Sequence, residues 1–201
     1  MKLKAKLTII DTKTGKIELE QESKSWVIQF LQLLAGNFQY PNSGVTMTGF
    51  QIRDTTNNLR TFSVTNISSQ RMSVFSQGGQ TGSTLYGIVL GTGVGADDPL
   101  QYQLGNLIAD GVAPTNLQYG THHVDEPIII GDIISFNYAR TVMNGSGAPI
   151  TVTEVGIYTW CDFQGTARYF MLLRDLLTVG VTIANGGIKT IRYTISADNS
   201  D

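Results

Sequence analysis

The chain has 201 residues, 41% of them apolar and only 15% charged, with a formal net charge of −2 and a pI near 5.6. That length supports one substantial core, the charge balance gives no electrostatic basis for binding nucleic acid or an anionic membrane, and the lone Cys161 excludes an intrachain disulfide framework or a zinc knuckle. Soluble chains usually carry ~25% charged residues; a surface made instead of Thr, Ser, Asn, Gln and Gly points to extensive contact with other protein.

The chain opens with "KLKAKLTII" and "KIELEQE", which alternate apolar and polar residues around "DTKTGK". Gly15 supplies the positive φ a tight turn needs, so this is a hairpin with one exposed face. Six of the seven lysines lie at or before Lys24, mixed with Glu18, Glu20 and Glu22, which reads as a solvated strand pair and not a basic patch. "LTII" is too short an apolar run for a secretory signal. The period then changes. In "SKSWVIQFLQLLAGNF" the residues Trp26, Val27, Phe30, Leu31, Leu33, Leu34 and Phe38 fall at helical spacings, opposite Ser25, Gln29, Gln32 and Gly36. Ser23 or Ser25 caps the start, and Gly36 with Asn37 stops it, predicting a helix over 24–37. It falls far short of the ~20 apolar residues that span a bilayer. Its apolar face is broader than packing on one sheet requires. Either it is wedged inside its own domain, or it is shared with a neighbouring subunit through Trp26, Val27, Phe30, Leu31, Leu34 and Phe38.

From Tyr40 onward the pattern is nearly all strand. "MTGFQIRD", "LRTFSV", "STLYGIVLG", "NLQYGTHHV", "DIISFNYARTVMN", "ITVTEVGIYTW", "ARYFMLLRD", "VGVTI" and "IKTIRYTISA" are short, rich in β-branched and aromatic residues, and bounded by Gly, Asn, Asp and Pro. "NGSGAP" is expected to close a hairpin between two long strands. The spacing predicts a mainly β chain, an antiparallel β-sandwich of jelly-roll or immunoglobulin-like type with one N-terminal amphipathic helix. One domain over 1–201 is expected, with hairpin plus helix in 1–40 and the sandwich core in 85–196. The stretch 41–84 fits edge strands or a surface arm equally well.

"GIVLGTGVGADDP" invites a nucleotide-binding reading that its neighbours contradict. A P-loop needs a lysine and a hydroxyl residue after the last glycine, whereas Gly95 is followed by Ala96, Asp97, Asp98 and Pro99. Gly91, Gly93 and Gly95 also miss the dinucleotide spacing, and no helix pattern follows. The glycines therefore read as a turn, with Asp97 or Asp98 capping entry into "PLQYQL". His122 and His123 are adjacent on a strand and point to opposite faces, so they cannot share a metal. A calcium site using Asp97, Asp98 and Asp110 lacks the acid alternation of a dedicated loop. Glu154, in "TVTEVGIY", has no partner acid for glycosidase chemistry, and such a strand carboxylate pairs with an arginine, Arg140 or Arg174. Cys161 beside Trp160 reads as a core or interface residue. No catalytic residue, metal ligand or cofactor site is expected, and the chain is not expected to be an enzyme.

A "GTG" turn, "YQLGNLIADG", "LQYG", then "ARTVMNGSGAPITVTEVGIYT" and "FMLLRDLLTVGVTIANGGIKTIRYTI" follow one another over residues 85–196. This order resembles small β-sandwich virion proteins of tailed bacteriophages, which carry an "EVGLY"-like and a "LLARD"-like strand after a hairpin and an aromatic-led helix. The resemblance implies a structural subunit of the capsid, neck or tail, made in the host cytoplasm and located in the virion. Its partners would be further copies of itself and other virion proteins, with no nucleic acid and no membrane. The alternative is a carbohydrate- or receptor-binding module, presenting Trp160, Tyr158, Tyr138, Tyr119 and Tyr102 to a surface glycan.

Overall fold

The computed structural model describes residues 2–23, 25–37, 51–61, 80–163 and 166–200. Strands β1 (Lys2–Asp11) and β2 (Ile17–Ser23) form the expected antiparallel hairpin. In its turn, Thr14 donates both its N–H and its hydroxyl to Asp11 Oδ1, at 2.9 and 2.8 Å, and Gly15 takes a φ of 72°. The helix α1 (Ile28–Asn37) starts later than its apolar spacing predicts. Trp26 is bridged to Leu173, and Val27 N–H donates to Leu172 O at 3.1 Å. That stretch is therefore tied to a strand before any helical turn can form.

The remaining strands are β3 (Gln51–Arg53), β4 (Leu59–Thr61), β5 (Gly87–Gly91), β6 (Gln118–Val124), β7 (Ile128–Ile130), β8 (Ile133–Met143), β9 (Ile150–Phe163), β10 (Thr166–Ile183) and β11 (Ile188–Asp198). The larger sheet has the order β2-β1-β11-β8-β6, with β7 also paired to β8; the smaller is β10-β9-β5, and β3–β4 is a separate hairpin. Every pairing of these strands is antiparallel. The chain is mainly β, built from antiparallel sheets. "ARYFMLLRD" and "VGVTI", two strands by pattern, form the single strand β10 with a register shift between Leu176 and Val181.

"NGSGAP" does not close a hairpin. It leads from β8 in the larger sheet to β9 in the smaller. β8 already has β11 on one side and β6 and β7 on the other, so no free edge remains for β9. Asn144 directs the exit: it is fully buried, donates to Ala148 O at 2.8 Å and Ile183 O at 2.7 Å, and accepts from Ser146 N at 3.0 Å.

Strand β11 shows how the core is filled. Lys189, Ile191, Tyr193 and Ile195 alternate as buried residues, as a strand's twofold period requires. Ile191 and Tyr193 share one buried cluster with Leu7 and Ile9 of the larger sheet, Val152, Phe170 and Leu172 of the smaller, and Phe30 and Leu33 of α1. Tyr193 donates its hydroxyl to the buried Asp175 at 2.9 Å.

Lys189 closes the hairpin end of that row, with Nζ at 2.8 Å from Asp11 Oδ2 and 2.6 Å from Glu18 Oε1. Burial opposes its charge, but the hydrogen bonds to the two carboxylates outweigh it and raise its pKa above 10.5. The bond from Lys189, then those from Thr14, hold Asp11 well below its ordinary 3.8. Asp11 therefore contributes stability above that value and loses it as pH falls further, while Lys189 contributes below 10.5 and loses it as pH rises through its higher folded value. Lys189→Met should lower the urea midpoint near neutral pH, and the gap to the parent chain should narrow as pH drops below 3.8. A gap that stays constant into acid would contradict this coupling.

Candidate functional site

The glycine run turns out to surround a charged group. β5 pairs with β9 so that Gly91 lies opposite Glu154, and β10 pairs with β9 so that Arg174 lies opposite Gly156. After Gly91 the chain leaves the sheet and follows an irregular path over 92–98. That path, together with the segment around 104–106, folds over the Glu154 carboxylate. Glu154 Oε1 accepts from Gly93 N at 2.9 Å and Asn106 N at 2.8 Å; Oε2 accepts from Gly105 N at 3.1 Å and Arg174 Nε at 2.8 Å. Glu154 is completely buried and Arg174 nearly so.

The glycines follow from this close approach. A Cβ built on Gly91 or Gly93 would overlap the Glu154 carboxylate, and neither residue has a positive φ. They are needed because the backbone must reach the anion, the same reason glycines line phosphate loops. Here the anion is the chain's own side chain. The other end of Arg174 is held as well: its Nη1 donates to Ala96 O at 3.2 Å and lies 3.8 Å from Asp97. Asp98 caps the next turn by accepting from Leu100 N at 2.9 Å. Arg174 is thus the partner of Glu154, and Asp98 is the cap.

Arg140 has a different role. It is buried with no carboxylate bonded to it among the described residues, and it donates to carbonyls of Gly120 at 2.9 Å, Ile88 at 2.8 Å and Ser83 at 2.7 Å. Its guanidinium also lies 4.6 Å from the centre of the Tyr119 ring. Burial pushes its pKa down to about 10. This arginine joins β8 and β6 of the larger sheet to β5 of the smaller.

The other candidate residues are dispersed. His122 accepts from Ile88 N at 2.8 Å and stacks on Tyr138, whereas His123 faces outward and pairs with Asp125 at 2.8 Å. The two rings do point apart. Asp110 accepts from Tyr119 N at 2.9 Å, away from the roles of Asp97 and Asp98. Among the described residues no group of three His, Cys, Asp or Glu is placed to hold a metal. Cys161 is buried in the main cluster. Of the aromatic residues, Tyr119, Tyr138 and Tyr158 are buried; Tyr158 accepts from Leu104 N at 2.6 Å, and Tyr119 donates to Ile108 O at 3.0 Å. Burial pushes all three phenols above their ordinary range.

On α1 and its approach, Val27 and Phe30 are buried and Trp26 and Leu34 half-buried, with the Trp26 and Phe30 rings 4.3 Å apart. Leu31 is 60% exposed and Ile28 40%. Phe38 lies outside the described residues. Gln29, on the polar stripe by sequence, is buried. No described helix is long and apolar enough to cross a membrane.

One surface feature is apolar on both faces of a hairpin. Ile128, Ile129, Ile130, Ile133 and Ile134 are all exposed on the β7–β8 hairpin, around Gly131 and Asp132. The available signal was the run "PIIIGDIIS", apolar at both strand parities. No family model matches the sequence, and no curated protein or solved structure is significantly similar to it.

The cage predicts a large mutational effect. Glu154→Gln leaves the buried Arg174 with only the half-exposed Asp97, 3.8 Å away, as a counter-ion and turns an amide NH2 toward backbone donors. The cost should be about 3–5 kcal/mol, the range for breaking a buried pair. Because three backbone N–H groups also depend on Glu154, replacing both Glu154 and Arg174 by apolar residues should not restore stability. Urea unfolding checks both; a loss under about 1 kcal/mol for Glu154→Gln, no more than an average point mutation costs, would contradict the cage.

Proposed function

We propose that this chain is a structural subunit of a tailed-phage virion, a capsid-decorating, neck or tail component that acts through protein–protein assembly. The observation that carries the assembly reading is where the chain places its polar and apolar groups. Its buried charges close on one another, on backbone and on a tyrosine hydroxyl, while large apolar side chains cluster on the surface. Five isoleucines stand exposed on one hairpin, and Ile28, Leu31, Leu59 and Leu100 are exposed on and near α1. Contiguous apolar patches on a soluble chain mark surfaces that meet a partner, and permanent contacts are depleted of charge at their centre.

The architecture in this proposal is a β-sandwich with an N-terminal amphipathic helix. Its support is a large buried cluster shared by the two larger sheets and α1. The virion assignment rests on the order of the "GTG", "TEVGIY" and "LLRD" segments. In this structure those segments are the turn, the carboxylate and the arginine of the cage. Partners are further copies and other virion proteins, reached after synthesis in the host cytoplasm. A glycan-binding reading is less well supported, because three of its five aromatic rings lie in the core.

Sedimentation velocity over a range of concentrations tests the reading. Defined oligomers that persist on dilution, or a specific complex with virion components, are the expected result. A monomer at every concentration that also fails to join purified particles would contradict it.

A further inference from the structure

The isoleucine hairpin is an unusual surface. β7 and β8 are joined by the two-residue turn Gly131–Asp132, and Gly131 has a φ of 59°, as the first central position of a type II′ turn requires. Ile129 and Ile134 are cross-strand partners on one face; Ile128, Ile130 and Ile133 occupy the other. Through the registers, Ile129 and Ile134 continue a row with Ala197 and the exposed Leu3. Two residues further along, the same face is buried at Ala5 and Ile195. The core face of the larger sheet thus runs on into solvent at this end.

Two ways of covering the hairpin by a copy of itself can be separated by charge. An antiparallel twofold pairing centred on Ile129 puts Glu126 directly opposite Asp132 of the second copy, and like charges facing across strands repel. By the alternation of the ladder, Pro127 also falls where the free edge needs a donor, and proline has none. Edge-to-edge pairing is therefore blocked twice.

A complementary surface exists elsewhere on the chain. A groove of about 200 Å³ lies between α1, the β3–β4 hairpin and the turn at Leu100, with Ile28, Leu59 and Leu100 as its apolar lining. This volume is below the ~300–1,000 Å³ of small-molecule sites. Arg53 stands in it and pairs with no carboxylate among the described residues, its guanidinium bonding to Asn57 instead. The groove therefore presents apolar walls and a cation. The hairpin tip presents isoleucines, the Asp132 carboxylate and turn amides.

We propose that the Ile128–Ile134 hairpin of one copy seats in the Ile28–Leu59–Leu100 groove of a second copy, with Asp132 meeting Arg53. This rests on the assembly reading above and makes it specific: the contact is head-to-tail, so repetition yields a ring or a filament.

The test uses the full chain. Ile130→Cys and Leu100→Cys alter exposed side chains, while the native Cys161 is buried and does not compete. Under mild oxidation the two variants should form disulfide-linked dimers when mixed and none when alone. Arg53→Glu and Asp132→Lys should each weaken association by about tenfold or more, roughly the effect of 1.4 kcal/mol, and the double variant should recover most of it. Circular dichroism and thermal unfolding confirm that each variant is folded.

Self-linking of Ile130→Cys alone would overturn the head-to-tail contact in favour of a twofold one. Association that none of these changes affects would overturn the hairpin–groove contact and leave the assembly reading standing. A parent chain that is monomeric at every concentration overturns this contact, and the broader reading fails separately if such a chain also joins no virion component.

Discussion

The structure depends on how one carboxylate is solvated. Glu154 sits in the middle strand of the smaller sheet with no water-exposed surface, a position where an unpaired charge would shed its charge or unfold its surroundings. Four donors replace its water shell: three backbone amides and one guanidinium nitrogen. Those amides come from two segments without regular secondary structure, which stay in place because the anion needs them and they need the anion. Glycine at 91 and 93 is the steric condition for bringing backbone that close. A phosphate loop meets the same requirement with a bound ligand, and this chain meets it internally.

Arg140 repeats the principle with a cation. Among the described residues no carboxylate is bonded to it, and it instead gathers carbonyl oxygens from β5, β6 and the segment before β5. Between them, Glu154, Arg174 and Arg140 tie loops and both larger sheets together through oriented bonds that an apolar core cannot provide. Such networks are costly when incomplete and rigid when complete. The result is an interior rich in directed polar contacts beneath a surface with exposed isoleucine and leucine. That distribution fits the assembly role proposed for the chain.

Much of this was legible in residue patterns, and the rest was hidden for identifiable reasons. The first hairpin could be read because "DTKTGK" contains its own turn chemistry and its flanks alternate cleanly. Strand alternation correctly separated His122 from His123, and the lack of a partner acid pointed Glu154 toward an arginine. Choosing Arg174 over Arg140 needed the β9–β10 register, which is a long-range fact. "NGSGAP" misled because turn residues specify that a chain bends, not whether the next strand stays in the same sheet; that was decided by the occupied edges of β8. The helix began late because a bridge from Trp26 to Leu173 outcompeted helical spacing over the first residues. The five isoleucines around Gly131 are not legible as a surface because an apolar run at both parities reads most simply as buried strand.

Amide hydrogen exchange at Gly93, Gly105 and Asn106, followed by NMR, tests the central claim most directly. If the Glu154 carboxylate is their permanent partner, all three amides exchange only through global unfolding, and added phosphate or nucleotide shifts none of them. Fast exchange at these amides, or their saturable perturbation by phosphate, would mean that the glycine turn is an open anion site and that the account is wrong.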